Sequence, residues 1–68
     1  MEYYVDMYNA GLRVAGWMVS GSSCFDVIAN LCCEHELLMD INNIMRVDVG
    51  SWEYTDENIT FCITLMDE

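Results

Sequence analysis

Hydrophobic periodicity limits the fold of this chain more than any other feature, because the period is two at both ends and about 3.6 in between. From Glu2 to Tyr8, the residues Tyr3, Val5 and Met7 fall on one side and Glu2, Tyr4, Asp6 and Tyr8 on the other, the pattern of a half-buried strand. Asn9, Ala10 and Gly11 read as a turn. Residues 12–19 then set Leu12, Val14, Gly16 and Met18 opposite Arg13, Ala15, Trp17 and Val19. A second strand folding back on the first is the simplest reading, so the chain opens with a hairpin.

Ser20, Gly21, Ser22 and Ser23 break the alternation. Ser23 followed by Asp26 has the spacing of a capping box, and the acid suits the positive end of a helix. The spacing predicts a helix beginning at Cys24, with Val27, Ile28, Leu31, Cys32, His35 and Leu38 on a packed stripe. Asp26, Asn30, Cys33, Glu34 and Leu37 fall largely on the solvent side. After Asp40 the period returns to two. Met45, Val47 and Val49 alternate with Ile44, Arg46 and Asp48, Gly50 and Ser51 interrupt, and residues 52–54 extend the same strand beyond a bulge. Thr55 to Asn58 form a turn, after which Ile59, Phe61, Ile63 and Leu65 alternate with Thr60, Cys62, Thr64 and Met66 in a last strand. The expected fold is one small α+β domain over residues 1–68: two layers, a four-stranded antiparallel sheet built as hairpin, helix, hairpin, and the one helix packed on one sheet face. Tyr4, Tyr8, Trp17 and Val19 are expected on the open face, where exposed apolar area points to an interface with a partner or a second copy.

Charge decides what such a domain can bind. Of 68 residues, 12 are Asp or Glu and two are Arg, with no lysine, for a formal charge of -10. Phosphates and anionic lipids are held by Lys and Arg, so neither nucleic acid nor a membrane surface is an expected partner, whereas a basic protein is. The acids are scattered from Glu2 to Glu68, and 54% of residues are hydrophobic, too many for a disordered acidic segment. No apolar run reaches the roughly 20 residues of a membrane-spanning helix, and the first residues lack the basic start of a signal peptide, so the expected compartment is the cytoplasm. There, Cys24, Cys32, Cys33 and Cys62 are expected as reduced thiols.

The residue types of several chemistries are present without the geometry those chemistries need. Cys32 and His35 share a helix face, but Cys33 points about 100° away, Cys24 is two turns off, and only Cys62 from the sheet can approach. A four-ligand zinc site is therefore not expected. Cys32 or Cys33 with His35 on one helix lacks the opposed arrangement of a nucleophile and its base, and so small a domain leaves little room for a substrate pocket. The acid pairs Asp56 with Glu57, Asp67 with Glu68, and Glu34 with Glu36 have neither the sugar-sized cleft of a glycosidase nor the spacing of a calcium loop. The expectation is a non-enzyme with no catalytic residue, no metal and no cofactor.

A binding role remains. Asp26 and Glu34 stand about 12 Å apart along the helix. Glu36 and Asp40 follow it, and Glu53, Asp56 and Glu57 gather at the expected tip of the second hairpin. Duplex DNA carries one negative charge per roughly 1.7 Å of axis, and carboxylates on a rigid fold can stand in for a short run of phosphates. Trp52 and Tyr54 are the apolar anchors expected beside them. Small size, near-absence of basic residues, lack of a catalytic set and the hairpin-helix-hairpin pattern together resemble small phage-encoded inhibitors that imitate DNA. Many anti-CRISPR proteins, antirestriction proteins and the uracil-DNA glycosylase inhibitor are of this class. The resemblance spans the chain in composition and architecture and includes no shared motif, so no residue role transfers. It implies a stoichiometric inhibitor that blocks the basic groove of a nucleic-acid-handling enzyme or complex, in the host cytoplasm if phage-encoded. The competing expectations are a small acidic interaction module or homodimer, whose acids are a solvated face, and a metal or redox sensor using the four thiols.

Overall fold

The computed structural model describes residues 1–66, so the acid pair Asp67 and Glu68 lies outside the described residues. The elements run β1 (Glu2–Asn9), β2 (Leu12–Ser20), α1 (Cys24–Glu34), a single 3-10 turn (Ile41–Asn43), β3 (Ile44–Asp48), β4 (Ser51–Asp56) and β5 (Ile59–Leu65). All strands join one antiparallel sheet in the order β2-β1-β5-β4-β3, with α1 packed across one face. The two-layer α+β architecture is as expected, but the sheet has five strands rather than four. The stretch read as one bulged strand is a hairpin, because Gly50 adopts a left-handed backbone at φ 75° and reverses the chain where a bulge would only bend it. The Asp48 carboxylate accepts from the Val49 N–H at 2.7 Å, and the Leu65 N–H donates to the Gly50 carbonyl at 2.7 Å, which ties the turn to the end of β5.

The first hairpin forms as its sequence predicts, through Ala10 and Gly11. Both have positive φ, 52° and 83°, as a two-residue type I′ turn requires. Its register then slips once. Met7 pairs with Ala15 but Tyr8 pairs with Arg13, leaving Val14 as an extra residue in β2. Because side chains alternate with a period of two, this bulge reverses the facing of everything before it. Arg13 therefore joins Tyr4, Asp6 and Tyr8 on the open face instead of lying with Ala15, Trp17 and Val19.

The core lies between α1 and the covered sheet face. Tyr3 and Val5 from β1, Tyr54 from β4, and Phe61 and Ile63 from β5 meet Cys24, Val27, Ile28, Leu31 and Cys32 from the helix. Each aliphatic or aromatic side chain so buried contributes roughly 1.5–3 kcal/mol. Trp17 and Val19 pair with Val5 and Tyr3 and pack against this core, so they are not on the open face as their alternation alone suggested. Residues opposite one another on paired strands share a face, and Val5 and Tyr3 face the helix.

The helix begins as predicted, with the Ser23 hydroxyl accepting from the Asp26 N–H at 3.2 Å and the Asp26 carboxylate accepting from the Ser22 N–H at 3.2 Å. It ends one turn before the predicted stripe does. The Glu36 N–H donates to the Cys33 carbonyl and the Leu37 N–H to the Cys32 carbonyl, a Schellman closure with Glu36 in the left-handed position at φ 59°. The closure folds Leu37 onto the core and leaves Leu38 91% exposed, the reverse of the helical expectation for both.

Candidate functional site

The carboxylates expected to act together are spread over several places. Asp26 sits at the N-terminus of α1, engaged in the cap, beside the end of β2. Glu53 lies on the open face. Glu34 lines a groove between the helix and β2 with Val19, Ser20 and Asn30, whereas Glu36, Asp56 and Glu57 lie where α1 finishes over β5 and the β4–β5 turn. His35 marks that junction, its ring 5.3 Å from the ring of Phe61. Asp56, Glu57, Asn58 and Ile59 line a shallow cleft there with Leu37 and Asn9, and the Ala10 N–H donates to the Asn58 carbonyl at 2.8 Å, joining the two hairpin turns side by side. Asp40 caps the 3-10 turn, its carboxylate accepting from the Asn42 N–H at 3.0 Å.

Two backbone conformations at this acidic end stand out. Glu36 and Glu57 have φ of 59° and 54°, a region in which a residue with a β-carbon is disfavoured by roughly 1–2 kcal/mol and which glycine enters freely. Both side chains are exposed, and among the described residues neither makes a salt bridge. The same is true of Glu34.

The predicted anchors are not available in the way the sequence suggested. Tyr54 is 0% exposed: its ring fills the core, and its hydroxyl accepts from the Asp40 N–H at 2.9 Å and donates to the Leu38 carbonyl at 3.3 Å. It therefore pins the loop after the helix to the sheet and cannot touch a partner. Trp52 is half-buried on the same covered face, edge-on to Tyr3 with ring centroids 6.4 Å apart. Both belong to the core because β4 turned out to be an interior strand.

On the open face, Gly16, Asp6, Cys62, Glu53 and Met45 stand in one row across all five strands. Adjacent strands are about 4.8 Å apart, so Asp6 and Glu53 flank Cys62 at a separation of roughly 10 Å. Burial pushes the Cys62 thiol up from its ordinary value, and the neighbouring charges of Glu53 and Asp6 add to the shift. Arg13 Nε donates to the Asp6 carboxylate at 2.8 Å and Arg13 Nη2 to the Tyr4 hydroxyl at 3.1 Å, with the guanidinium lying over Gly16, where a β-carbon would collide with it. Asp6, like Asp48 at the β3–β4 turn, was not singled out by sequence reasoning. The alternation in β1 does place Asp6 beside Tyr4, but the rows across the sheet depend on registers that no local pattern specifies.

The thiols do not assemble. Cys62 is on the opposite side of the sheet from the helix, so it cannot complete a set with Cys32 and His35. Among the described residues no three His, Cys, Asp or Glu side chains stand close enough to hold a metal ion. Burial pushes the Cys24 thiol up to about 11 and raises Cys32 as well; the Tyr54 hydroxyl partly offsets the latter and the Asp56 charge reinforces it. No helix among the described residues is long and apolar enough to cross a membrane. No protein-family model, curated protein or solved structure matches this chain.

Proposed function

We propose that the protein is a stoichiometric inhibitor of a nucleic-acid-handling enzyme or complex, and that its carboxylates take the place of phosphates in a basic groove of that target. The observation that carries the reading is the acidic end of the molecule. Glu36, Asp56 and Glu57 stand where the helix ends over the β4–β5 turn, and two of the three occupy left-handed backbone that glycine would fill at lower cost. Holding charge where local stability favours a smaller residue is what a surface selected for its field requires. Rigid attachment also matters. A backbone fixed by a Schellman closure and a hairpin turn loses less conformational freedom on binding than that of a flexible tail. With a net charge of -10 and no lysine, long-range attraction to a basic groove speeds the encounter.

The reading is tested by retaining partners on the tagged protein from a bacterial lysate containing defence and DNA-repair systems, at low and at raised salt. The captured enzyme is then assayed with its nucleic acid as competitor. A basic nucleic-acid enzyme that binds either duplex or this protein, but not both, and that is released by salt, is the expected result. Combining Glu36→Gln, Asp56→Asn and Glu57→Gln should weaken inhibition at least tenfold and flatten its salt dependence. Undiminished inhibition by that triple variant, or a partner that binds duplex and protein together, would remove the basis for mimicry.

A further inference from the structure

The single helix does not cover the whole sheet. α1 is buried against Tyr3, Val5, Tyr54, Phe61 and Ile63 of β1, β4 and β5, whereas no residue of the outer strand β2 is fully buried. A groove of about 270 Å³ is left between the helix and the end of β2. Val27, Asn30, Leu31 and Glu34 line it from the helix, at the spacing of one helical stripe, and Val19 and Ser20 line it from the strand. Ligand pockets run from roughly 300 to 1,000 Å³, so this groove suits one side chain rather than a whole metabolite.

The lining is divided by polarity. Val19, Val27 and Leu31 are apolar, and the two helix residues belong to the core, so that part of the groove is fixed. Ser20, Asn30 and Glu34 are exposed. The Ser20 hydroxyl donates to the Glu2 carboxylate, which brings a second acid to this end of the sheet. Among the described residues, neither the Asn30 side chain nor the Glu34 carboxylate has a hydrogen-bond or ion-pair partner. Neither arginine of the chain serves them: Arg13 is held by Asp6 on the open face, and Arg46 is on β3, at the far edge of the sheet.

We infer that this groove receives an arginine side chain presented by a basic partner protein, with the methylene stem against Val19, Val27 and Leu31 and the guanidinium at Glu34, Asn30 and Ser20. Charge and polarity select that occupant. An apolar strip bordered by an unpaired carboxylate is complementary to a side chain that is apolar along its stem and cationic at its tip. Arginine fits better than lysine, because the guanidinium is more weakly hydrated and spreads five donors in a plane, matching the carboxylate, amide carbonyl and hydroxyl acceptors at the groove. Two copies each carrying -10 repel, so the arginine comes from a partner of opposite charge. The groove also supplies what the buried Tyr54 and half-buried Trp52 do not, a place on the surface where a partner can anchor a side chain, and arginine is enriched among such anchors.

The inference rests on the reading of a basic partner given above but not on the rim that carries it, and a small probe separates the two. The test is an NMR titration of the isotope-labelled full chain with N-acetyl-arginine methylamide, at constant ionic strength. The matching norleucine compound supplies a stem without charge, and guanidinium chloride a charge without a stem. The expected result is a saturable shift of the backbone amides of Ser20, Asn30 and Glu34 with the arginine compound at millimolar concentration. Glu34→Gln should weaken it at least about threefold, the scale of one exposed ion pair, Glu53→Gln on the open face should leave it unchanged, and the other two compounds should bind more weakly still. Glu34 is exposed and unpaired, so its replacement should leave the remaining spectrum in place and the fold intact. If the rim triple variant inhibits like wild type while the arginine compound still fills the groove, mimicry falls and the groove stands; if that variant loses inhibition while the compound does not bind, the reverse holds. Equal binding to Glu34→Gln, shifts spread evenly over all the carboxylates, equal binding of the norleucine compound, or the same amides shifting with protein concentration alone, as a second copy would cause, would each overturn the assignment.

Discussion

Tyr54 and Glu57 lie three residues apart on one hairpin and obey opposite constraints. Tyr54 satisfies every demand of its place: the ring is fully buried against Phe61 and the helix, and the hydroxyl is bonded on both sides. Glu57 satisfies none of the local ones, since a hairpin turn with positive φ calls for Gly, Asn or Asp. Glu36 at the end of the helix repeats the case. Packing accounts for the interior strip, whereas it gives no reason for glutamate at these two rim positions. That contrast is the physical ground for looking for the protein's activity at the rim rather than in the core or its clefts.

The contrast is sharpened most by removing Phe61, which is fully buried at the centre of the covered face. Phe61→Ala should cost about 3–5 kcal/mol, enough to unfold much of a domain this small, whereas Thr64→Ala on the exposed side of the same strand should stay within about 0.5 kcal/mol. Chemical denaturation of the two variants makes the comparison, and equal losses would contradict the facing assigned to β5.

Tyr54→Phe keeps the ring and deletes the hydroxyl, leaving the Asp40 N–H without its acceptor. A loss of about 1–3 kcal/mol is expected, together with faster amide exchange through residues 38–40. At the rim the sign should reverse. Glu36→Gly and Glu57→Gly should each gain up to about 1 kcal/mol by relieving the left-handed backbone, while weakening whatever the rim binds. A thermal midpoint that falls in both would show that the glutamates are held there for stability after all.

The buried thiols give a shallower, pH-dependent test. Burial raises Cys24 to about 11, above its ordinary value near 9, so on unfolding it would release a proton between those two values. Its contribution is therefore intact below about pH 9 and is lost as pH rises towards about 11. Stability followed by denaturation should decline over that alkaline window, and Cys24→Ser should make the decline less steep. The smallest effect belongs to Gly16→Ala. The new β-carbon collides only with the tips of the Arg13, Tyr4 and Asp6 side chains, which can swing aside, so the exposed Arg13–Asp6 pair should break at a cost below about 1 kcal/mol. A much larger loss would mean that the open-face cluster is a structural element in its own right.

The covered face was legible in the sequence because burial leaves a period: Tyr3, Val5 and Met7, then Val27, Ile28, Leu31 and Cys32, then Phe61 and Ile63 all fall where their spacing puts them. The Ser23 cap was legible for a local reason, since its donors and acceptors lie within one turn. The site was less so. The abundance of acid and the near-absence of base are properties of composition and survive any arrangement, but the placing of Glu36 beside Asp56 and Glu57, with Glu34 turned towards β2, is not written in any one segment alone.

What the sequence by itself determined, then, is the class of fold, the packed faces of β1, α1 and β5 and the sign of the charge, all of which follow from period and composition. Only the tertiary structure decided that residues 44–56 are two strands, that Arg13 crosses to the open face, that Trp52 and Tyr54 are interior, and that β2 and β3 are the outer edges. Each of these turns on a single backbone event, a left-handed glycine or a one-residue bulge, or on strand order. A local hydrophobic pattern cannot specify them, because shifting register by one residue or inserting one turn reverses which side chains meet without changing the composition that encodes them.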